Sequence, residues 1–115
     1  MWISQVFNNV SSDMRGGKTK VSNIRRLVLD VLKPHEPSII DLAQQLSNLE
    51  GVDGVNISIY EIDRKVENAK ITVQGKNIIY DEVLRVIQDN GGAVHSIDEA
   101  VAGTIILDDV PTLQD

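Results

Sequence analysis

The sequence predicts an α+β fold, a ferredoxin-like βαββαβ sandwich with a four-stranded antiparallel sheet and two helices on one face. Segments of alternating apolar side chains are separated by segments of helical spacing, and the order strand–helix–strand occurs twice. Both helical segments open on a double isoleucine, Ile39-Ile40 and Ile78-Ile79, and both are followed by glycine. Two such units with right-handed connections give the split βαβ arrangement.

The first unit covers two strands and one helix. Residues 24–33 (IRRLVLDVLK) are rich in branched side chains and predict a strand, which ends before two prolines. Residues 38–49 predict a helix, because Pro37 suits a first helical turn and apolar residues recur every three or four positions. Gly51 is placed to end this helix, and residues 55–62 then alternate as a second strand does.

The second unit repeats the same order after a polar turn at Asp63-Arg64-Lys65. Residues 67–74 predict the return strand, and Asn77 is expected to cap a helix over residues 78–90. Residues 93–102 predict the last strand of the core. Residues 104–107 are expected to add a short edge strand.

The chain divides unevenly in charge. Its 115 residues suit one domain, and we assign residues 1–22 to a flexible N-terminal extension, 23–107 to the ferredoxin-like domain and 108–115 to a C-terminal tail. The extension holds three basic residues against one acidic residue, whereas the whole chain has a formal net charge of −6. An acidic domain repels phosphate backbones, so no nucleic acid partner is expected.

Composition excludes several further classes of function. The chain has no cysteine, which removes disulfides, thiol nucleophiles and thiolate metal sites and favours a cytoplasmic location. No apolar run approaches the roughly 18 residues that span a bilayer, so no membrane partner is expected. The sequence shows no Ser/His/Asp triad pattern, phosphate loop or zinc-protease spacing.

Alternation also predicts which face of the sheet is open. The side chains expected to face the helices are Leu27, Leu29, Val31, Val55, Ile57, Ile59, Ala69, Ile71 and Val73. Those expected to face away are Arg26, Val28, Asp30, Leu32, Asn56, Ser58, Tyr60, Ile62, Lys70, Thr72, Gln74, Val94, Ser96, Asp98 and Ala100. Apolar residues on this open face favour a second copy of the chain as a partner, against the alternative of ordinary scattered apolar surface. The central-strand positions lack the aromatic platforms of RNA-recognition domains.

Both histidines are candidates for chemistry. We expect the first strand to run antiparallel beside the last, with these two flanking a parallel central pair, so His35 and His95 would approach one another. The predicted ligand-binding residues are His35, Glu36 and His95, and the predicted metal ligands are Asp30, Asp98 and Glu99. Histidine with carboxylates binds divalent metals or moves protons, and carboxylates suit calcium or magnesium. The alternative is that each histidine is an ordinary hydrogen-bonding surface residue, and a one-residue change in register would separate the cluster.

Three stretches together resemble an archaeal family. Residues 28–37 (VLDVLKPHEP), 49–58 (LEGVDGVNIS) and 95–103 (HSIDEAVAG) are similar to the uncharacterised proteins called domain of unknown function 211, over about residues 23–109. The resemblance implies a ferredoxin-like fold and ring-like homo-oligomers. The family's biochemical activity is unassigned, so no catalytic residue is carried over.

The middle stretch is also similar to the Leu-Glu-Gly-Val-x-Gly-Val segment of heavy-metal-associated domains. Those domains bind copper through a Cys-x-x-Cys pair, which this chain lacks, so thiolate copper transfer is excluded. ACT-type regulatory domains, which bind small ligands between paired sheets, offer an analogy of fold alone.

Three functions follow as hypotheses. The first is a homo-oligomeric, non-enzymatic binding or regulatory module that takes a divalent cation or a small ligand. The second is a metal-assisted enzyme that uses His35 or His95 as an acid–base group. The third is a purely structural assembly unit.

Overall fold

In the computed structural model, residues 21–108 are described, and they form one four-stranded sheet with two helices on one face. The elements in chain order are β1 (Ile24–Pro34), α1 (Ile39–Ser47), β2 (Val52–Ile62), β3 (Val66–Ile78), α2 (Tyr80–Asp89) and β4 (Ala93–Ala102). The strand order is β2-β3-β1-β4, and every neighbouring pair is antiparallel. The predicted ferredoxin-like βαββαβ fold is confirmed.

The pairing of β1 with β4 is also as predicted, but the central pair is not. β1 and β3 lie side by side and run antiparallel, whereas a parallel central pair was expected. The reason is the crossover through α1. It makes β1 and β2 run the same way, and β3 occupies the place between them in the opposite direction.

The ends of the strands and helices differ from the predicted bounds by up to four residues, except in β4, and two of the predictions near element ends are wrong. Asn77 does not cap α2, because β3 continues to Ile78 and pairs there with Ile24 of β1. The backbone N–H groups of Lys76 and Asn77 donate to the Gly51 carbonyl, which extends the strand. Residues 104–107 form no strand, since the chain turns away from the sheet at Gly103, where φ is +111°.

The core lies between the sheet and the helices. Each row of directly opposed residues shares a face, and two central rows join Leu29, Ile71 and Ile57, and Val31, Ala69 and Ile59. The helices contribute apolar side chains from one face each, and the four buried ones are Leu42, Leu46, Val83 and Ile87. The predicted inward faces of β1, β2 and β3 are therefore confirmed.

Irregularities in β2 and β4 change the predicted open face. An extra residue in one strand of a pair inverts the alternation that follows it. In β4 such shifts place Val94 opposite Val31 and Ala100 opposite Leu27, on the helix face. In β2 a shift between Ile59 and Glu61 puts Ile62 opposite Glu67, in the same row as Lys33. The prediction that Val94, Ala100 and Ile62 face away from the helices is therefore wrong.

The helices of the described residues are short. α1 has 9 residues and α2 has 10, and neither is long and apolar enough to cross a membrane. The predicted N-terminal extension and C-terminal tail lie outside the described residues, except for residues 21, 22 and 108.

Candidate functional site

The last inward-facing residue of β1 is a buried lysine. The alternation that buries Leu29 and Val31 continues to Lys33, whose side chain is only 1% exposed. A buried ammonium group is costly unless it is paired and hydrogen-bonded. Here Nζ donates to Oε1 of Glu67 at 3.1 Å and to the Pro34 carbonyl oxygen at 2.7 Å. Glu67 lies directly opposite Lys33 on β3, so the strand register itself creates the pair.

The same carboxylate also holds His35. Its Nδ1 lies 3.0 Å from Oε2 of Glu67, and its Nε2 lies 3.1 Å from the Arg64 carbonyl oxygen. A carboxylate and a carbonyl are both acceptors, so both bonds form together only when the imidazole carries two N–H groups. The bond to Glu67, followed by that to the Arg64 carbonyl, raises the pKa of His35. The bonds from His35 and then Lys33 lower the pKa of Glu67.

The turn between β2 and β3 positions this carbonyl. The Asp63 carboxylate accepts hydrogen bonds from the backbone N–H groups of Lys65, at 2.9 Å, and Val66, at 3.0 Å. Those two bonds lower the pKa of Asp63. Aspartate commonly fixes a turn in this way, and the fixed turn aims the Arg64 carbonyl at His35. The polar turn predicted from sequence is confirmed.

The Lys33–His35–Glu67 cluster can hold and release a proton. Both oxygens of Glu67 are engaged, Oε1 by Lys33 and Oε2 by His35. The imidazole of His35 is 42% exposed, whereas the carboxylate is 16% exposed and the ammonium is buried. The histidine is therefore the member through which solvent protons reach the cluster, and the lysine keeps the carboxylate charged.

This geometry predicts a stability that depends on pH. Because folding raises the pKa of His35, its contribution is complete below the unfolded value of about 6.5 and is lost as pH rises through the folded value. We expect the free energy of unfolding, measured by urea denaturation, to fall between about pH 6 and pH 9 by more in the wild type than in His35→Gln. His95→Gln is the matched control and should keep the wild-type slope. Equal slopes in the wild type and His35→Gln would contradict the role of His35.

The structure places the two histidines in different parts of the sheet. β1 and β4 are neighbours, as predicted, with Leu32 opposite Ala93 and Asp30 opposite Ser96. His95 precedes Ser96 and so lies beside the middle of β1, whereas His35 follows its last residue. The four residues from Asp30 to the end of β1 span about 13 Å of extended chain. His35 is therefore brought to Glu67 and not to His95.

The predicted metal ligands are also distributed. Asp30 lies on the open face and accepts a hydrogen bond from the Tyr60 hydroxyl, which raises the pKa of Tyr60. Asp98 accepts from the Ser96 hydroxyl at 2.7 Å. Glu99 pairs with Arg26 at 3.1 Å.

Glu36, the remaining predicted ligand, is exposed in the bend after β1. Within residues 21–108 no three or more histidine, aspartate and glutamate side chains are gathered to hold one metal ion. A role in binding calcium or magnesium stays a prediction.

Sequence reasoning missed Lys33 and Glu67 as partners, although the signal was present. Extending the inward alternation of β1 by one step reaches Lys33, and extending that of β3 backwards reaches Glu67. When the inward-facing apolar residues of two neighbouring strands are each followed by a charged residue, and the two charges are opposite in sign, a buried ion pair is indicated. The missing information was the register that sets them directly opposite each other.

A known protein family matches most of the chain. The model of the family DUF211, described as "Uncharacterized ArCR", matches residues 25–115. This chain belongs to that family. DUF211 stands for domain of unknown function 211, so the resemblance found in the sequence is confirmed.

A relative from Methanocaldococcus jannaschii, described as "Uncharacterized protein MJ0319", is 53% identical over 95 residues. The match covers 83% of this chain and 98% of that protein.

Proposed function

We propose that this DUF211 protein is a non-enzymatic binding or regulatory module that works in the cytoplasm as a ring-like homo-oligomer. The observation that carries the oligomeric part of the proposal is a run of apolar residues after β4. Ile105, Ile106 and Leu107 are 68%, 36% and 61% exposed. Three consecutive large apolar side chains on a surface are typical of a contact site. We call residues 104–108 the C-terminal arm.

The arm is held in place while its apolar side chains face solvent. Arg26 of β1 donates from Nη2 to the Leu107 carbonyl oxygen at 2.8 Å. It also bonds Oδ1 of Asp108 at 3.3 Å and 3.4 Å. These bonds already order the backbone of the arm. Binding of a partner over Ile105 and Leu107 therefore costs little conformational entropy in the arm.

A second copy of the chain fits this surface best. Copies of an acidic chain repel one another at long range, and apolar contacts such as those of the arm favour their association without adding like charges. Further exposed apolar side chains lie at the end of β2, Tyr60 at 57% on the open face and Ile62 at 65% on the helix face. The arm lies near the start of β1, and β1 and β2 run in the same direction, so the arm and these side chains are at opposite ends of the sheet.

A contact between different patches of two copies is heterologous, and repeated copies then form a ring when the rotation closes. Both edge strands of the sheet, β2 and β4, carry register irregularities, which weaken each of them as an edge for direct strand pairing. Side-chain contacts of the arm are therefore favoured over a continuous sheet between subunits.

The metal-assisted enzyme is supported less well by the same geometry. It needs His35 and His95 in one pocket, and these residues lie at the end of β1 and beside its middle. A purely structural assembly unit predicts the same oligomer, and ligand binding separates it from a binding module.

The test is the molar mass in solution, measured by light scattering after gel filtration. We expect the molar mass of the wild type to be a multiple of the 12.7 kDa of one chain. The double variant Ile105→Ser/Leu107→Ser should have the molar mass of a monomer. Burial of each large apolar side chain contributes about 2 kcal/mol, so each loss weakens association by at least about tenfold.

Ile40→Ser is the matched control, since Ile40 is 67% exposed on α1, away from the arm. This variant should keep the wild-type mass. A monomeric wild type would overturn the proposed oligomer, and an oligomeric double variant would overturn the role of the arm.

A further inference from the structure

The end of the sheet opposite the Lys33–His35–Glu67 cluster contains a cationic pocket. It has a volume of about 340 Å³ and is lined by Ser22, Asn23, Arg25, Lys76, Gly103 and Thr104, beside Val21. Two of these residues are basic and none is acidic, in a chain whose formal net charge is −6. The surroundings of this pocket are therefore opposite in charge to the molecule as a whole.

Arg25 is oriented by the backbone. Its Nε donates to the Gly75 carbonyl oxygen at 3.0 Å, and its Nη1 donates to the Gly103 carbonyl oxygen at 3.2 Å. The Gly103 carbonyl is itself positioned, since Gly103 N–H donates to the Asn23 carbonyl at 2.9 Å. A guanidinium group has five N–H donors, so the two carbonyls leave others to bind a ligand.

The charge of Arg25 has no carboxylate partner among residues 21–108. Other basic side chains that are buried or half-buried there do have one, since Arg26 pairs with Glu99 and Lys33 with Glu67. Removing a cation from water is costly without a counter-charge. An anion in the pocket would supply this charge for half-buried Arg25, and Lys76 would give it a second cation.

We propose that this pocket binds a small oxyanion, a phosphoryl or carboxylate group, between the Arg25 guanidinium and the Lys76 ammonium. Arginine in a fixed orientation recognises both groups through paired N–H donors. Ser22 and Thr104 also line the pocket, and each carries a hydroxyl group that is a neutral donor. The inference names the ligand class of the proposed binding module, but it depends on the fold of one chain and not on assembly.

Titration with inorganic phosphate, followed by amide NMR spectra of the full chain, tests the proposal. We expect saturable shifts confined to residues 22–25, 75–76 and 103–104. Sodium chloride at matched ionic strength should not reproduce them. Lys76→Ala should weaken phosphate binding by about tenfold, the usual effect of losing one charge-assisted hydrogen bond.

Lys76 is preferred over Arg25 for substitution because its side chain is exposed, whereas that of Arg25 also ties two carbonyls together. Lys76→Arg should retain binding to within about threefold, because the positive charge is kept. Lys65→Ala, at the opposite end of the sheet, is the matched control and should bind as the wild type does.

The same titration with succinate, a dicarboxylate, distinguishes a phosphoryl ligand from a carboxylate ligand. Tighter binding of phosphate assigns a phosphorylated ligand, and tighter binding of succinate assigns a carboxylated one. Binding of neither, equal shifts with chloride, or unchanged binding in Lys76→Ala would overturn the pocket. The molar mass of Lys76→Ala should equal that of the wild type, so failure of the pocket and failure of the proposed oligomer are distinguishable.

Discussion

Replacing Gly75 with alanine is expected to lower the free energy of unfolding by about 3 kcal/mol. A Cβ atom at Gly75 would collide with the Gly51 carbonyl oxygen and would lie 2.8 Å from Cα of Val52. Both are backbone atoms of the segment that enters β2, so no side chain can rotate to make room. The same Gly51 carbonyl accepts the N–H groups of Lys76 and Asn77, and separating the segments to admit a methyl group would lengthen these bonds.

Gly54→Ala is the matched control for this prediction. Gly54 also lies in a strand, its φ is not positive, and a Cβ atom there would meet nothing within 4 Å. Its stability in urea should stay within about 1 kcal/mol of the wild type, with any change favouring alanine. If Gly75→Ala unfolds at the same urea concentration as Gly54→Ala, the close approach of the two segments is wrong.

Local pattern was enough to predict the element order and the inward faces of three strands. The core of β1 and β3 follows from period-two alternation, which a buried face imposes directly on Leu29, Val31 and Ile71. Gly51 was predicted to end the first helix, but α1 already ends at Ser47 with Asn48 as its cap, and Gly51 forms the turn into β2 with φ +88°. Gly75 was not recognised, because the need for glycine there arises from a backbone contact with a segment more than 20 residues earlier.

The candidate site could be predicted only in part, for a related reason. The pairing of β1 with β4 follows from topology, but the place of His95 along β1 depends on the register irregularities of β4. No local feature of the segment around His95 specifies an extra residue. Alternation did contain the Lys33–Glu67 pair, yet a charged residue at a strand end also fits an exposed position. The cationic pocket requires the turn at Gly103, which brings residues from opposite ends of the domain together.

Replacing Glu67 with glutamine is expected to lower the free energy of unfolding by about 3 kcal/mol. The substitution leaves the ammonium group of Lys33, which is 1% exposed, without its counter-charge in the interior. It also removes the charged acceptor of His35. Chemical denaturation at a pH above the titration of His35 measures the effect on Lys33 alone, because the histidine is then neutral and no longer forms an ion pair with Glu67. Glu61→Gln is the control, since Glu61 is an exposed glutamate of β2 at the same end of the sheet as Glu67. This substitution should change the free energy of unfolding by less than about 0.5 kcal/mol.

The double variant Lys33→Met/Glu67→Leu tests whether the cost lies in the unpaired charge. Methionine fills much of the lysine volume and leucine that of glutamate, and apolar pairs often match or exceed the stability of the buried ion pairs that they replace. We therefore expect the double variant to be within about 1 kcal/mol of the wild type and clearly more stable than Glu67→Gln. A double variant less stable than Glu67→Gln would show that hydrogen bonds to Pro34 and His35, and not the buried charge, hold this end of the sheet.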